Sequence, residues 1–208
     1  MRKIRTAVLV SGGGTNLQAI LDAQDSGVIT SAEVVLVVSN KKSAYALERA
    51  EKRGIENCFI SKKKAGSQEA FEEELIRLLD EKEIELIVLA GFMAILSARF
   101  TKHFENRIIN IHPSLIPSFC GEGYYGLKVH EEALKYGVKV TGATVHFVNE
   151  IPDGGKIIAQ KAVYIEDGDT PEILQKRVME QAEWIIFPEA VEKVAQSLPP
   201  REKASCGA

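Results

Sequence analysis

Apolar residues in the first half of the chain fall into short runs rich in valine, isoleucine and leucine. Between these runs, apolar positions recur every three or four residues. The runs are typical of strands buried on both faces, and the wider spacing is typical of amphipathic helices. The predicted strands cover residues 4–10, 33–39, 57–61, 85–90 and 107–112, and the predicted helices cover 15–25, 44–53 and 68–82. This alternation predicts an α/β fold with a doubly wound, mostly parallel sheet.

The second half of the chain has a different pattern. Residues 142–148 and 156–165 are predicted strands, and the loop between them suits an antiparallel hairpin at the edge of the sheet. Thr170 can cap a long final helix that has Pro171 in its first turn and extends to about residue 196. We find no linker or repeat, so we expect a single domain over residues 1–198. The polar tail, residues 199–208, is predicted to be disordered.

Composition narrows the class of protein. The 208 residues are 45% hydrophobic and 26% charged, with a net charge of −3, so no global charge favours nucleic acid or an anionic membrane. The three cysteines are widely spaced, which fits neither a disulfide framework nor a zinc site. The N-terminus leads directly into a strand without a cleavable hydrophobic segment, and no apolar run approaches the length of a membrane span. We therefore expect a cytoplasmic protein.

The strongest chemical signal lies at the end of the fifth predicted strand. Asn110 and His112 are two residues apart, so their side chains leave the same face of the strand. Pro113 then ends the ladder, which places the pair at the carboxyl edge where open α/β sheets bind ligands. An amide and an imidazole side by side can polarise a carbonyl and stabilise an oxyanion. No HExxH motif, nucleophile elbow or carboxylate cluster is present, which disfavours metal or serine hydrolysis.

A glycine-rich turn, residues 11–16, joins the first predicted strand to the first helix. Small residues let backbone amides approach a ligand, and Thr15 or Asn16 can cap the helix whose N-terminus favours an anion. Leu17 stands where the dinucleotide fingerprint has its third glycine, and no Walker lysine follows, so a monophosphate fits better than a pyrophosphate. The alternative is a purely structural turn.

The other histidines and one aspartate have weaker signals. His103 is predicted to be a surface residue and His130 a structural helical residue, while His146 is as consistent with a core position as with a chemical role. Asp153 lies in the hairpin loop, where aspartates are common. If the loop folds back, its carboxylate would hold His112 and raise the pKa of the imidazole.

Several blocks of this sequence, in order, resemble the phosphoribosylglycinamide formyltransferase family, which acts in purine synthesis. The similarity extends from about residue 4 to residue 194. It is carried by SGGGTNLQ at 11–18, AGFM at 90–93, NIHPSL at 110–115, VHFV at 145–148 and DGG at 153–155. The resemblance implies a Rossmann-like core with an antiparallel edge hairpin and a long C-terminal helix.

The resemblance also implies a reaction and a set of site residues. A formyl group would pass from 10-formyltetrahydrofolate to the amine of glycinamide ribonucleotide, with no metal or nicotinamide. The implied catalytic residues are Asn110, His112 and Asp153. Those implied on the phosphate side of the ribonucleotide are Gly13, Gly14, Thr15, Asn16 and Glu183. Those implied for the folate are Met93, Ala94, Ile95, Leu96, Asn110, Asn149, Glu150 and Ile151. The implied partners are these small molecules alone, not nucleic acid or a membrane, and the expected oligomeric state is a monomer or a homodimer.

The sequence departs from the family pattern at four places. Ala94 stands where an arginine is common, and Gln68 stands where a basic residue is usual; the lysines at 62–64 could compensate for that loss. Residues 118–126 form a longer, glycine-rich stretch that suggests a mobile or reshaped loop beside the site. Trp184 replaces the usual histidine after Glu183.

Four alternative functions share parts of this pattern. Methionyl-tRNA formyltransferase and formyltetrahydrofolate deformylase resemble the same core, but each carries an extra domain that we do not expect in this chain. A catalytically silent binding protein would not need the Asn110, His112 and Asp153 constellation. A dinucleotide-dependent oxidoreductase is disfavoured because the fingerprint is absent and Ser39-Asn40 stands where an acidic residue would end the second strand.

Overall fold

The computed structural model describes residues 2–199. The strands are β1 (Ile4–Val10), β2 (Ala32–Ser39), β3 (Glu56–Phe59), β4 (Leu86–Leu89), β5 (Ile108–His112), β6 (Val140–Phe147) and β7 (Ile157–Tyr164). The helices are α1 (Thr15–Asp25), α2 (Tyr45–Lys52), α3 (Lys62–Ala65), α4 (Gln68–Glu81), α5 (Ala98–His103), α6 (Leu127–Tyr136), α7 (Pro171–Val178) and α8 (Trp184–Ser197). A π-helical turn, Met179–Glu183, joins α7 to α8.

The strands form one sheet in the order β3-β2-β1-β4-β5-β6-β7. The first five are parallel, whereas β6 is antiparallel to β5 and β7 is antiparallel to β6. The predicted doubly wound, mostly parallel sheet with an antiparallel edge hairpin is therefore confirmed. The strand order reverses between β1 and β4, and a ligand crevice is expected at this point.

Two apolar cores cover the two faces of the sheet. Val8 and Val10 point to the face covered by α1 and α8, while Ala7 and Leu9 point to the face covered by α4 and α5. Successive residues of β1 are thus buried on opposite sides, which explains its continuous apolar run. Glu192 of α8 also ties that helix to the sheet by accepting four hydrogen bonds from Thr30 and Ser31, just before β2.

The element boundaries differ from the predictions at three informative places. The predicted side-chain cap of α1 is wrong, because Gly14 occupies the cap position with φ 72° and no side-chain cap bond. The predicted single final helix is interrupted by the π-helical turn. Ser61, predicted to end β3, instead caps the one-turn helix α3, which contains the three lysines.

Three further expectations concern membrane spans, the cysteines and the tail, and the structure bears on them only for residues 2–199. No helix within residues 2–199 is both long enough and apolar enough to cross a membrane. Cys58 and Cys120 are free thiols, and Cys206 lies outside the described residues. Of the tail predicted to be disordered, residues 200–208 also lie outside them, while the carbonyl of Pro199 accepts a hydrogen bond from Arg107.

Candidate active site

The predicted site residues come from three strand ends at the carboxyl edge of the parallel sheet. β1 leads into the glycine-rich turn, β4 leads into the segment 91–96, and β5 ends at His112. The loop between β6 and β7 brings Asp153 to the same place. These segments therefore meet at the crevice that the strand order predicts.

Asn110 and His146 face each other across the antiparallel pair of β5 and β6. Nδ1–H of His146 donates to the carbonyl of Phe147 at 2.7 Å, so the opposite nitrogen, Nε2, is free to accept a hydrogen bond from the Asn110 amide at 3.2 Å. His146 is buried. This contact fixes the orientation of the Asn110 amide, with its second N–H left for another acceptor.

Both ring nitrogens of His112 face acceptors. Nε2 donates to the carbonyl of Phe119 at 2.8 Å, and Nδ1 lies 3.4 Å from Oδ2 of Asp153. Only the imidazolium form satisfies both contacts. Burial lowers the pKa of His112 and Asp153 raises it, and burial has the larger effect, so the pKa lies below its ordinary value. The predicted contact with Asp153 is present and raises the pKa of His112 as predicted; the larger, opposing effect of burial was not predicted from the sequence.

Asp153 is held in a conformation that non-glycine residues seldom adopt, with φ 55°. Its Oδ2 accepts a hydrogen bond from the N–H of Gly121 at 2.8 Å, and its Oδ1 lies 3.5 Å from Nε2 of His146. Burial raises the pKa of Asp153, but the polar and charged groups around it, among them His112 and the N–H of Gly121, outweigh burial and lower it. Asp153 is therefore an ionised group placed between two imidazoles.

The hairpin loop reaches this position because its backbone passes very close to β6. A Cβ at Gly155 would lie 1.7 Å from the carbonyl oxygen of Phe147. Only glycine permits that approach, and Phe147 N–H then donates to the Lys156 carbonyl at 2.9 Å. This close approach holds the loop against β6, and Asp153, two residues before Gly155, lies 3.4 Å from His112 at the end of β5.

The glycine-rich turn leads directly into the N-terminus of α1. Gly14 has φ 72°, and a Cβ there would lie 2.7 Å from the Cβ of Ala46, so α2 packs directly against the turn. Thr15 is exposed, with its hydroxyl 4.0 Å from the sulfur of Met179. Exposed amides and a hydroxyl at a helix N-terminus form an arrangement that suits an anion.

Glu183 lies beneath this turn and contacts Asn16. The Asn16 amide donates to Oε2 of Glu183 at 2.7 Å, and the Glu183 side chain is buried. Burial raises the pKa of Glu183, and the hydrogen bond from Asn16 only partly opposes this. The π-helical turn, a feature often found at functional sites, carries Met179 towards Thr15 and Glu183 to Asn16, two residues predicted to bind the substrate phosphate.

A cavity of about 130 Å³ lies between the segment after β4 and the hairpin loop. Seven of the eight predicted folate residues line it: Ala94, Ile95, Leu96, Asn110, Asn149, Glu150 and Ile151. Met93 lies outside it with 46% of its surface exposed. Met93 is linked to the glycine-rich turn instead, because its backbone N–H donates to the hydroxyl of Ser11 at 2.8 Å.

Gln68 holds one wall of this cavity. Its amide donates to the carbonyl of Ile95 at 3.1 Å and to Glu72 at 2.6 Å. Glu72 is buried and also accepts hydrogen bonds from the N–H and the hydroxyl of Ser97. Gln68, which the sequence comparison marked as a departure from a usual basic residue, therefore anchors segment 93–97 to α4.

The remaining histidines lie away from these contacts. His103 is paired with Asp80 at 3.0 Å near the surface, as predicted. His130 is fully buried in α6, and burial together with the charge of His112 lowers its pKa to about 4. Sequence reasoning left open a chemical role for His146 and did not identify the groups that Phe119, Gly121 and Ser11 contribute.

Comparison with known proteins agrees with this arrangement. Residues 4–191 match the profile of the formyl transferase family. The chain is 43% identical over 188 residues to the phosphoribosylglycinamide formyltransferase of Haemophilus influenzae, covering 90% of this chain and 84% of that protein. It is 48% identical over 193 residues to the trifunctional purine biosynthetic protein adenosine-3 of Gallus gallus. That match covers 93% of this chain but only 18% of the trifunctional protein.

Solved structures share the fold. Glycinamide ribonucleotide transformylase 1 from Symbiobacterium toebii aligns with a TM-score of 0.87 at 42% identity, covering 94% of this chain and 89% of that chain. Phosphoribosylglycinamide formyltransferase from Brucella melitensis aligns with a TM-score of 0.85 at 42% identity, covering 93% of this chain and 96% of that chain.

The profile match begins in β1 and ends in α8. It therefore includes the glycine-rich turn, the Asn110–His112 strand end, the hairpin loop and the π-helical turn. The identities to relatives extend over nearly the same part of the chain. The chain belongs to the formyl transferase family.

Proposed function

We propose that this protein transfers the formyl group of 10-formyltetrahydrofolate to the amine of glycinamide ribonucleotide. The products are formylglycinamide ribonucleotide and tetrahydrofolate, in purine synthesis. The observation that carries the proposal is the contact of Asp153 with His112, beside Asn110, between an anion-binding turn and a narrow cavity. The names of two aligned proteins, those of Haemophilus influenzae and Symbiobacterium toebii, support the same substrate.

The reaction joins an amine to a formyl carbon. The nitrogen of the ribonucleotide amine attacks that carbon, and the carbonyl electrons move to oxygen, giving a tetrahedral oxyanion. The bond from carbon to N10 of the folate then breaks as the oxyanion collapses. The proton lost by the attacking nitrogen balances the proton gained by N10. The step exchanges one C–N bond for another, with no change of oxidation state.

Asn110 and His112 are the groups proposed to stabilise the oxyanion. The Asn110 amide has one N–H directed to His146, and its second N–H can donate to the developing oxygen. The Nε2–H of His112 can do the same once it leaves the carbonyl of Phe119. Asp153 orients the imidazole and favours its charged form, and it can assist proton transfer through water.

The two substrates are assigned to neighbouring sites. Gly13, Gly14, Thr15 and Asn16 would bind the ribonucleotide phosphate, and Glu183 would act through its hydrogen bond to Asn16. The cavity lined by Ile95, Asn149 and Ile151 would take the pterin. Holding both substrates at one sheet edge converts a bimolecular attack into a nearly intramolecular one. We place this activity in the cytoplasm, as a monomer or homodimer that acts on small molecules rather than nucleic acid or membranes.

An absorbance assay of tetrahydrofolate release tests the proposal. It compares wild type, His112→Ala and the matched surface control His103→Ala, each with and without glycinamide ribonucleotide. We expect release only with the ribonucleotide, and a loss of about 100-fold or more in His112→Ala alone. Release without the ribonucleotide would contradict the proposal and indicate a deformylase. A complete lack of release in wild type would indicate a binding protein.

A further inference from the structure

Helix α2 fixes the direction of two peptide groups in the glycine-rich turn. The N–H of Ala46 donates to the carbonyl of Gly12 at 3.1 Å, and Nε of Arg49 donates to the carbonyl of Gly13 at 2.8 Å. Both carbonyls therefore point towards α2. The two donors lie one turn apart on the same face of that helix.

The planarity of the peptide bond carries this orientation to the amides. In a trans peptide the C=O and the following N–H point in opposite directions. With the carbonyls of Gly12 and Gly13 directed at α2, the N–H groups of Gly13 and Gly14 must point away from it. Gly12 and Gly13 are exposed, and a Cβ built at either meets no atom within 4 Å, so this part of the turn is not packed against other elements. Consecutive amides pointing the same way form an anion-binding nest.

Arg49 is itself held in place on three sides. Its Nη1 donates to Oε1 of Gln18 in α1 at 2.8 Å, and its guanidinium carbon lies 5.0 Å from the ring centre of Tyr45. Together with the bond to Gly13, these contacts place a permanent positive charge behind the turn, in a groove that Thr15 also lines. The charge favours an anion, and the Nε bond keeps a carbonyl dipole from opposing it.

We propose that Arg49 is a positioning residue for the phosphate of the ribonucleotide, acting by orienting the Gly13–Gly14 peptide and by adding positive charge beside it. This inference rests on the proposed function. Its consequence is specific to one substrate, because Arg49 contacts the glycine-rich turn and not the cavity assigned to the folate. Loss of Arg49 should therefore affect binding of the ribonucleotide rather than chemistry.

Steady-state kinetics of Arg49→Met test the inference. We expect the KM for glycinamide ribonucleotide to rise about tenfold or more, as for the loss of hydrogen bonds to a charged group. The kcat and the KM for 10-formyltetrahydrofolate should stay near wild type, and Arg49→Lys, which keeps the charge, should recover part of the affinity. Arg53→Met is the matched control, because Arg53 also links α2 to α1, through Asp25 at 2.6 Å, without contacting the turn.

A second measurement separates this inference from the proposed function. Inorganic phosphate added to ¹⁵N-labelled protein should shift the Gly13 and Gly14 amide resonances in wild type and Arg53→Met, but much less in Arg49→Met. An unchanged KM for the ribonucleotide together with unchanged phosphate shifts in Arg49→Met would overturn the role of Arg49. Wild type that responds to phosphate through Arg49 but transfers no formyl group would overturn the proposed function alone.

Discussion

Replacing Asp153 with asparagine removes one negative charge from the candidate catalytic pair and leaves the shape of the side chain nearly unchanged. The carboxylate lies 3.4 Å from Nδ1 of His112, and both side chains are largely buried, with 14% and 5% of their surfaces exposed. The asparagine oxygen can still accept the hydrogen bond from Gly121. The variant should therefore fold, while the imidazolium form of His112 loses its main electrostatic support.

The size of the effect follows from the distance and the burial. At an effective dielectric constant of about 20, two unit charges at this separation attract by roughly 5 kcal/mol. Solvent and neighbouring groups offset part of that attraction, since the pKa of His112 stays below its ordinary value even with Asp153 present. Taking about half as the net loss gives roughly 2–3 kcal/mol, or a fall in kcat of about 30- to 150-fold.

The way turnover of Asp153→Asn should change with pH follows from the pKa of His112. Asp153 raises the pKa of His112, so Asp153→Asn lowers it further below the ordinary value. If the imidazolium is the active form, turnover falls as the pH rises through this pKa, and in the variant that fall begins at lower pH. The deficit should therefore widen as the pH rises from about 5 to the ordinary histidine pKa of about 6.5, and stay constant from there to about pH 8.

The assay is tetrahydrofolate release across that pH range, with Asp80→Asn as the control. Asp80 forms a comparable pair with His103 at 3.0 Å, but at the surface and away from the site. The control should match wild type at every pH. Equal kcat values for Asp153→Asn and wild type would remove Asp153 from the mechanism, and a deficit independent of pH would refute the role assigned to its charge.

Three further changes test the framework around the site. Burial raises the pKa of Glu192, but its four hydrogen bonds have the larger effect and lower this pKa from 4.5 to about 2. The Glu192 carboxylate therefore stabilises the fold above pH 4.5, and this stabilisation is lost as the pH falls towards 2. Allowing for solvent screening, Glu192→Gln should cost about 1–2 kcal/mol in urea unfolding at neutral pH and clearly less near pH 3; an equal cost at both would contradict the assignment. Gly155→Ala should lower the melting temperature and the kcat together, because the new Cβ would meet the Phe147 carbonyl at 1.7 Å; a wild-type kcat would show that the loop can shift without moving the site. Gln68→Ala should raise the KM for 10-formyltetrahydrofolate several-fold and leave that for the ribonucleotide unchanged, since it frees the Ile95 carbonyl from α4.

The fold could be predicted because the decisive signals are local. A strand buried on both faces, such as β1, must be apolar at every position, and an amphipathic helix must repeat its apolar residues every three or four. The helix and strand boundaries that differed from the predictions depend on contacts with residues far away in the sequence. Gly14 serves as the cap of α1 because α2 packs against it, and Asn16 is engaged with Glu183, 167 positions away.

The site could be predicted in part for the same reason. Asn110 and His112 were identifiable because a strand places them on one face and Pro113 ends the strand. His146 was ambiguous, since its role depends on the register that pairs β5 with β6. The contacts made by Phe119 and Gly121 use only backbone atoms, and no side-chain pattern encodes them. The net pKa of His112 depends on how burial compares with one nearby charge, which requires the three-dimensional arrangement.

Ser11 connects the two proposed substrate sites at a fixed separation. It is the first residue of the glycine-rich turn, and its buried hydroxyl donates to Asn40 at 2.7 Å and accepts from the N–H of Met93 at 2.8 Å. One side chain therefore ties the glycine-rich turn after β1, proposed to bind the phosphate, to the segment after β4 that leads to the cavity proposed for the folate. Attack of an amine on a formyl carbon gains most when both reactants are held in register, and a misplacement of about 1 Å can cost 100-fold in rate. A rigid connection at the point where the strand order reverses meets that requirement without a residue that touches either reacting atom.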